Sequence, residues 1–136
     1  MDLATSMLVA ASGMRAQSTR MRTIAENIAN ANSTAPSPGA DPYRRKIATM
    51  TSSFDRELNA TTVHAGKPVQ DMSDFHSQYD PGNPVADAKG YVKMPNVNSL
   101  VEIMDMREAQ ASYEANVNVL DASKTMMSRT IDLLTK

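Results

Sequence analysis

The spacing of apolar positions divides the chain into two long periodic segments separated by a stretch with no such period. In residues 3 to 31, Met7, Met14, Met21 and Ile28 recur at every seventh position, and Leu3, Ala10, Gln17, Ile24 and Ala31 form a second row of the same step beside them. A stripe this narrow, sustained over about four repeats, predicts one long helix with a coiled-coil seam rather than the broader apolar face of a helix lying on a globular core. Its filling by Ala and Met allows a neighbouring helix to come close. Residues 99 to 134 repeat the arrangement, with Met106, Tyr113, Leu120, Met127 and Leu134 in one row and Ile103, Gln110, Val117, Lys124 and Ile131 alongside. Ser99 and Glu102 have the spacing of a capping box, and Pro95 fits a helix start just upstream; Asn96 or Asn98 serves as a cap equally well. At the helical rise the two segments would span roughly 43 and 54 Å.

The middle, residues 33 to 95, holds all seven prolines and four of the five glycines. The cluster STAPSPGADP ends the first helix in a loop. YRRKIATMTSSF (43 to 54) and NATTVHAGKPVQ (59 to 70) carry β-branched residues in alternation and predict short strands, and a further strand is expected over residues 90 to 94. The expected fold class is therefore mainly α with a small β-rich insertion. Long N- and C-terminal helices (residues 1–33 and 96–136) pair as a coiled coil, and a loop- and β-rich lobe (34–95) holds short strands and a hairpin.

Composition alters the picture in two respects. The chain has eleven methionines but no tryptophan, two phenylalanines and four tyrosines. Aromatic side chains usually supply the largest buried areas of a small core, whereas methionine suits adaptable contact surfaces, so the main burial is expected against partners. The chain also lacks cysteine, which removes disulfides, thiolate metal sites and thiol nucleophiles. The net charge of −1 gives no bulk electrostatic case for nucleic acid or an anionic membrane. Residues 1 to 30 contain no basic stretch followed by an apolar core, so neither a secretory leader nor a membrane span is expected, and any export would use a route without a cleaved leader. Residues 1 to 32 carry Arg15, Arg20 and Arg22 against Asp2 and Glu26. Residues 96 to 136 carry Glu102, Asp105, Glu108, Glu114, Asp121 and Asp132 against Arg107, Lys124, Arg129 and Lys136. Opposite flanking charges of this kind set helix pairing and register more than stability.

Catalytic chemistry finds no footing. Asp74, His76 and Asp80 form the one constellation that suggests a metal-dependent hydrolase, but their spacing matches no metal site, and polar loop residues explain them more cheaply. HAGK and DAKG lack the spaced glycines and hydroxyl of a phosphate loop, and no serine lies in a G-x-S-x-G context. YRRK (43 to 46) reads as a solvated strand end. No cofactor, metal or catalytic residue is expected. The remaining oddity is the trio Asn27, Asn30 and Asn32 at the exit of the first helix, since asparagine competes with the helix for backbone hydrogen bonds. Asn32, or Asn30, serves as an exit cap; Asn27 lies too far inside the helix for that.

These residues resemble a known group. AASGMRAQSTRMRTIAENIANANS (10 to 33), followed by PYRRK (42 to 46), is similar to the N-terminal signature of the bacterial flagellar axial proteins, the rod and hook family. NVNSLVEIMDMREAQASYEANVNVLDASKTMM (96 to 127) is similar to that family's C-terminal helix, and YDPGNPVADAKGYVKMPNV (79 to 97) narrows the likeness to its proximal-rod branch. Here ten residues of proline- and glycine-bearing loop intervene before the tyrosine step, a departure from the hook pattern, and Glu26 stands where relatives often have Asn or Ser. The resemblance implies a structural subunit of the periplasmic rod, the flagellar drive shaft. Such a subunit is exported unfolded and polymerises helically through its terminal helices around the export channel. It implies contacts with copies of itself, other rod proteins, an export-gate or MS-ring adaptor and the bushing rings, with no nucleic acid and no direct membrane insertion. The expected subunit-interface residues are Met7, Met14, Met21, Ile24, Asn27, Ile28 and Asn30 on the first helix, and Met106, Tyr113, Asn116, Val117, Leu120 and Met127 on the second. Buried amides at Asn27, Asn30 and Asn116 would select register between subunits. A soluble coiled-coil adaptor forming a closed oligomer is the alternative reading.

Overall fold

The computed structural model describes residues 2–135. Helix α1 (Leu3–Asn30) and helix α2 (Ser99–Leu134) flank six short strands: β1 (Lys46–Ile47), β2 (Met50–Asp55), β3 (Ala60–Ala65), β4 (Val69–Gln70), β5 (His76–Tyr79) and β6 (Tyr91–Met94). The strands form three antiparallel pairs, β1 with β4, β2 with β3 and β5 with β6. No helix of the described residues is long and apolar enough to cross a membrane.

Both helices end where the sequence expects. After Asn30 the chain turns, with Ala31 N–H donating to Ile28 O at 3.2 Å and Ser33 Oγ to Asn30 O at 2.8 Å, so the last carbonyls keep partners. The start of α2 differs from the capping-box expectation. Asn98 Oδ1 accepts from the Leu100 and Val101 N–H groups at 3.1 and 3.4 Å, which makes Asn98 the N-cap. Glu102 cannot reach back to close a box because its side chain is turned into the protein.

The short strands expected in the middle are present, with bounds set by partner changes. Residues 43 to 54 hold two of them, β1 and β2, because the chain changes partner at residues 48 and 49. Residues 59 to 70 break at Gly66–Pro68, where Gly66 N–H donates to Thr49 O at 2.9 Å and proline has no N–H for a ladder. His76 lies in β5 opposite Met94, within a segment expected to be loop. HSQY carries no β-branched residue, so pairing with β6 rather than propensity makes it a strand.

The chain resolves into two compact units, through which both helices run. One unit contains α1 up to Met21, Thr49–Lys67 and α2 from Arg107 onward. Here Ser12 Oγ donates to Val9 O at 2.7 Å and accepts from Val63 N–H at 3.2 Å, which ties β3 to α1. The β2–β3 loop is set by Asp55 Oδ1, which accepts from Glu57 and Leu58 N–H, and by Asn59 at φ 48°. Facing α2, Gly13 has no Cβ, and one built there would sit 3.0 Å from Asn116 Nδ2. Arg20 and Glu108 close the same side with an ion pair at 3.0 Å.

The other unit contains Arg22–Ala48 and Pro68–Met106. Its β5–β6 hairpin is closed by the loop from Asp80 to Gly90, where Asp87 Oδ1 accepts from Lys89 and Tyr91 N–H at 2.8 and 2.9 Å. Gly90 sits at φ 81°, and a Cβ there would meet Tyr79 Cε2 at 3.0 Å and Pro81 Cβ at 3.1 Å.

The buried apolar residues are small almost throughout: Ala10, Ala16, Ala31, Ala35, Ala60 and Ala109, with Ile24, Val92 and Val97. The largest fully buried side chain among the described residues is a glutamate, Glu102. A core of alanines around a carboxylate is an unusual distribution for a 14.8 kDa chain, and it leaves the large apolar side chains elsewhere.

Candidate subunit interface

The glutamate is the centre of a polar clasp within the second unit. Glu102 Oε1 accepts from Arg45 Nε at 2.6 Å, and Oε2 accepts from Asn27 Nδ2 at 3.0 Å. Asn27 is 1% exposed and uses its full hydrogen-bonding capacity. Its Nδ2 also donates to Lys46 O at 2.8 Å, and its Oδ1 accepts from Tyr43 Oη and Lys46 N–H, both at 2.9 Å. Asn96 takes the other side of the same strand: its Oδ1 accepts from Arg45 N–H at 2.8 Å, and its Nδ2 donates to Asp71 O and Ser73 Oγ. The side chain of Arg45 lies 3.5 Å from Asp71 and 3.8 Å from Asp105.

YRRK is therefore not a solvated strand end. Tyr43 and Arg45 enter the clasp, Arg44 stacks over Phe75 with its guanidinium carbon 4.2 Å from the ring centre, and Lys46 pairs with Glu26. Burial, then the charges of Glu26 and Glu102, push the Tyr43 phenol up to about 12. Burial alone would depress Arg45, but the hydrogen bond and charge of Glu102, with Asp71 behind them, hold it above its ordinary value. Asp71 is held below the usual carboxylate range, first by hydrogen bonds from Ser73 and then by Arg45.

The expected interface residues separate into two sets. Ile24 and Asn27 are buried inside the chain, so Asn27 organises this subunit rather than presenting an amide to another. Met7, Met14, Met21, Ile28, Asn30, Met106, Tyr113, Asn116, Val117, Leu120 and Met127 are half-buried, each with surface still open. Asn30 Nδ2 donates back to Glu26 O at 2.8 Å, and Asn116 Nδ2 to Ser112 O at 2.9 Å, so both amides are occupied by their own helices.

On α2 the expected row is half-buried at Met106, Tyr113, Leu120 and Met127 but exposed at its last member, Leu134, and the row beside it is displaced by one residue. Glu102, Ala109 and Ser123 are buried, whereas Ile103 and Ile131 are exposed. Turning the small and polar row inward pushes the apolar neighbours out. Around Glu102, Leu100 (67% exposed), Val101, Ile103 and Met104 (64%) all face outward, an inversion of the usual pattern. Further along, Val119, Met126 and Leu133 share one row of step seven, with Leu133 and Leu134 about four-fifths exposed, at 78% and 82%. Sequence reasoning missed Glu102, Arg45, Asn96 and this outward ridge. The available signal was the single charge inside the apolar run Leu100–Val101–Glu102–Ile103–Met104.

A clasp that buries charge thus stands beside a helix that leaves Leu133 and Leu134 largely exposed in the single subunit. The chain matches the family model for flagella basal body rod proteins over residues 7–35, and that for the C-terminal region of flagellar basal body rod FlgEFG proteins over residues 88–133. It is 51% identical over 132 residues to the flagellar basal-body rod protein FlgC of Agrobacterium fabrum, covering 97% of this chain and 95% of the relative. To the FlgC of Escherichia coli O6:H1 it is 39% identical over 125 residues, covering 92% of each chain. To that of Bacillus subtilis it is 37% identical over 143 residues, covering 94% of this chain and 95% of the relative. The chain belongs to the FlgC family and is a structural subunit of the flagellar basal-body rod.

Proposed function

We propose that this subunit polymerises helically through α1 and α2, so that residues 1–33 and 96–136 make an inner tube around the export channel and residues 34–95 make an outer lobe. The outward apolar ridge of α2 carries this reading. A monomer in water would hold Leu100, Met104, Met126, Leu133 and Leu134 exposed at a cost of about 1.5–3 kcal/mol for each side chain that assembly could bury. A tube covers such a ridge on every subunit with a neighbour related by the same operation, and head-to-tail contacts of this kind grow into open helical polymers. The partners are then copies of this chain and the other rod proteins, with the export-gate or MS-ring adaptor below and the bushing rings outside. Within each subunit the clasp around Glu102 ties the exit of α1 and the start of α2 to β1, so that the two helices are held together where the lobe joins them.

The test replaces exposed residues, so the subunit itself is left intact. Val119→Asp with Met126→Asp is expected to keep the circular dichroism of the free subunit and to abolish rods and motility. Rods of normal length built from that variant would overturn the reading.

A further inference from the structure

The helices carry charges, unpaired among the described residues, that are opposite in sign and equal in spacing. Arg20, Arg45 and Lys46 all have ion-pair partners within the chain. Arg15 and Arg22 have none among the described residues; Arg15 makes one long bond, Nε to its own Ala11 O at 3.4 Å. Both are exposed and seven residues apart, about 10.5 Å along one face of α1. From Arg15 onward that face is otherwise small, with Ser18 and Ala25 exposed beside the two arginines; one step earlier in their row Leu8 is 45% exposed and, in the register below, falls opposite Ser128. On α2, Glu114 and Asp121 are likewise exposed, unpaired among the described residues and seven apart.

We propose that the Arg15–Arg22 face of α1 in one copy docks on the Glu114–Asp121 face of α2 in a second copy. This rests on the tube reading above and names its lateral contact. The equal spacing lets both ion pairs form at once, while the small residues of α1 let the two helices approach closely enough for the long side chains to meet. The register excludes the obvious conflict. Arg107 lies in the same row as Glu114 and Asp121, one step earlier. With the helices antiparallel, Arg15 meets Asp121, Arg22 meets Glu114, and Arg107 falls opposite Ala29, not opposite another cation. Within one chain the two faces cannot satisfy each other, because Gly13 and Arg20 of α1 already face Asn116 and Glu108 of α2. The contact is heterologous, which is the geometry an open polymer requires. Each exposed pair is weak alone, so its value is choice of neighbour and register, repeated along the whole wall.

The test is charge exchange in the full chain, expressed in cells that lack the natural copy. Arg15→Glu with Arg22→Glu is expected to lower incorporation into purified basal bodies at least tenfold, as is Glu114→Arg with Asp121→Arg. Combining all four substitutions is expected to restore at least half of it. No recovery, or normal incorporation of either pair, overturns the proposal. A second measurement is independent of folding in the charge variants. Because the chain has no cysteine, copies with Arg22→Cys mixed with copies carrying Glu114→Cys should give a cross-linked dimer in assembled rods with a short bismaleimide. No dimer, or a cross-link to a different rod protein, also overturns it. If the exchange fails while Val119→Asp with Met126→Asp still blocks assembly, the helices remain the polymer contacts and only this pairing falls.

Discussion

Replacing Arg45 by alanine isolates the clasp from everything else in the fold. The substitution removes the 2.6 Å bond to Glu102 and leaves a carboxylate with 0% exposure holding a single donor, Asn27 Nδ2. Breaking a buried pair from one side costs about 3–5 kcal/mol, and the lower end applies because Arg45 is itself partly exposed. Glu102→Gln keeps the shape and the Asn27 bond while removing the charge, for about 1–2 kcal/mol. The paired change Arg45→Met with Glu102→Leu leaves neither charge buried and should cost clearly less than Arg45→Ala alone, with a coupling of about 2 kcal/mol or more. Urea unfolding of the dilute subunit by circular dichroism gives the free energies, and hydrogen exchange over residues 98–106 locates the loss. A cost under about 1 kcal/mol for Arg45→Ala, or additivity of the two changes, would refute the view that Glu102 depends on its partner.

Other consequences concern titration and turn geometry. The Tyr43 phenol is raised from 10 to about 12, so the folded state holds its proton more tightly; stability from this group is complete below pH 10 and is lost as pH rises toward 12. Alkaline titration of the unfolding midpoint should show that loss, and Tyr43→Phe should remove it. Asp71 is depressed, so its contribution is present above the ordinary carboxylate value and disappears as pH falls below it; Asp71→Asn should flatten the acid limb of the stability curve. Gly90→Ala forces a Cβ into a left-handed turn against Tyr79 and Pro81 and should destabilise by about 1–2 kcal/mol in the same urea assay, with loss of order in the β5–β6 hairpin by NMR.

Much of the architecture was legible because helices write themselves into sequence with a period. The end of α1 and the start of α2 lie by the breakers and the Asn98 cap that the sequence offers, and of the row Met106, Tyr113, Leu120, Met127 and Leu134 the first four are half-buried while Leu134 is 82% exposed. The row beside it is displaced, for a physical reason: periodicity rules assume that apolar residues face in, and around Glu102 they face out. Glu102 itself could only be understood with Arg45 and Asn27, which lie 57 and 75 residues away; no local pattern carries such a pair. The same holds for YRRK, whose cations look solvated until Phe75, Glu26 and Glu102 are placed beside them. The strands were legible as β-rich stretches but not as pairs, since chain breaks at residues 48–49 and Gly66 depend on which partner each half finds. The asparagines raised the right question with a different answer: Asn27 is an internal fastener.

The central claim, that the outer side of α2 is covered only in the rod, is tested most directly by thiol labelling. With cysteine placed singly at Met104, Met126 or Ser53, maleimide should react rapidly at all three positions in the free subunit. In purified rods the Ser53→Cys site should stay reactive while the Met104→Cys and Met126→Cys sites slow by at least tenfold. Equal reactivity of the α2 sites in free subunit and rod would contradict the account.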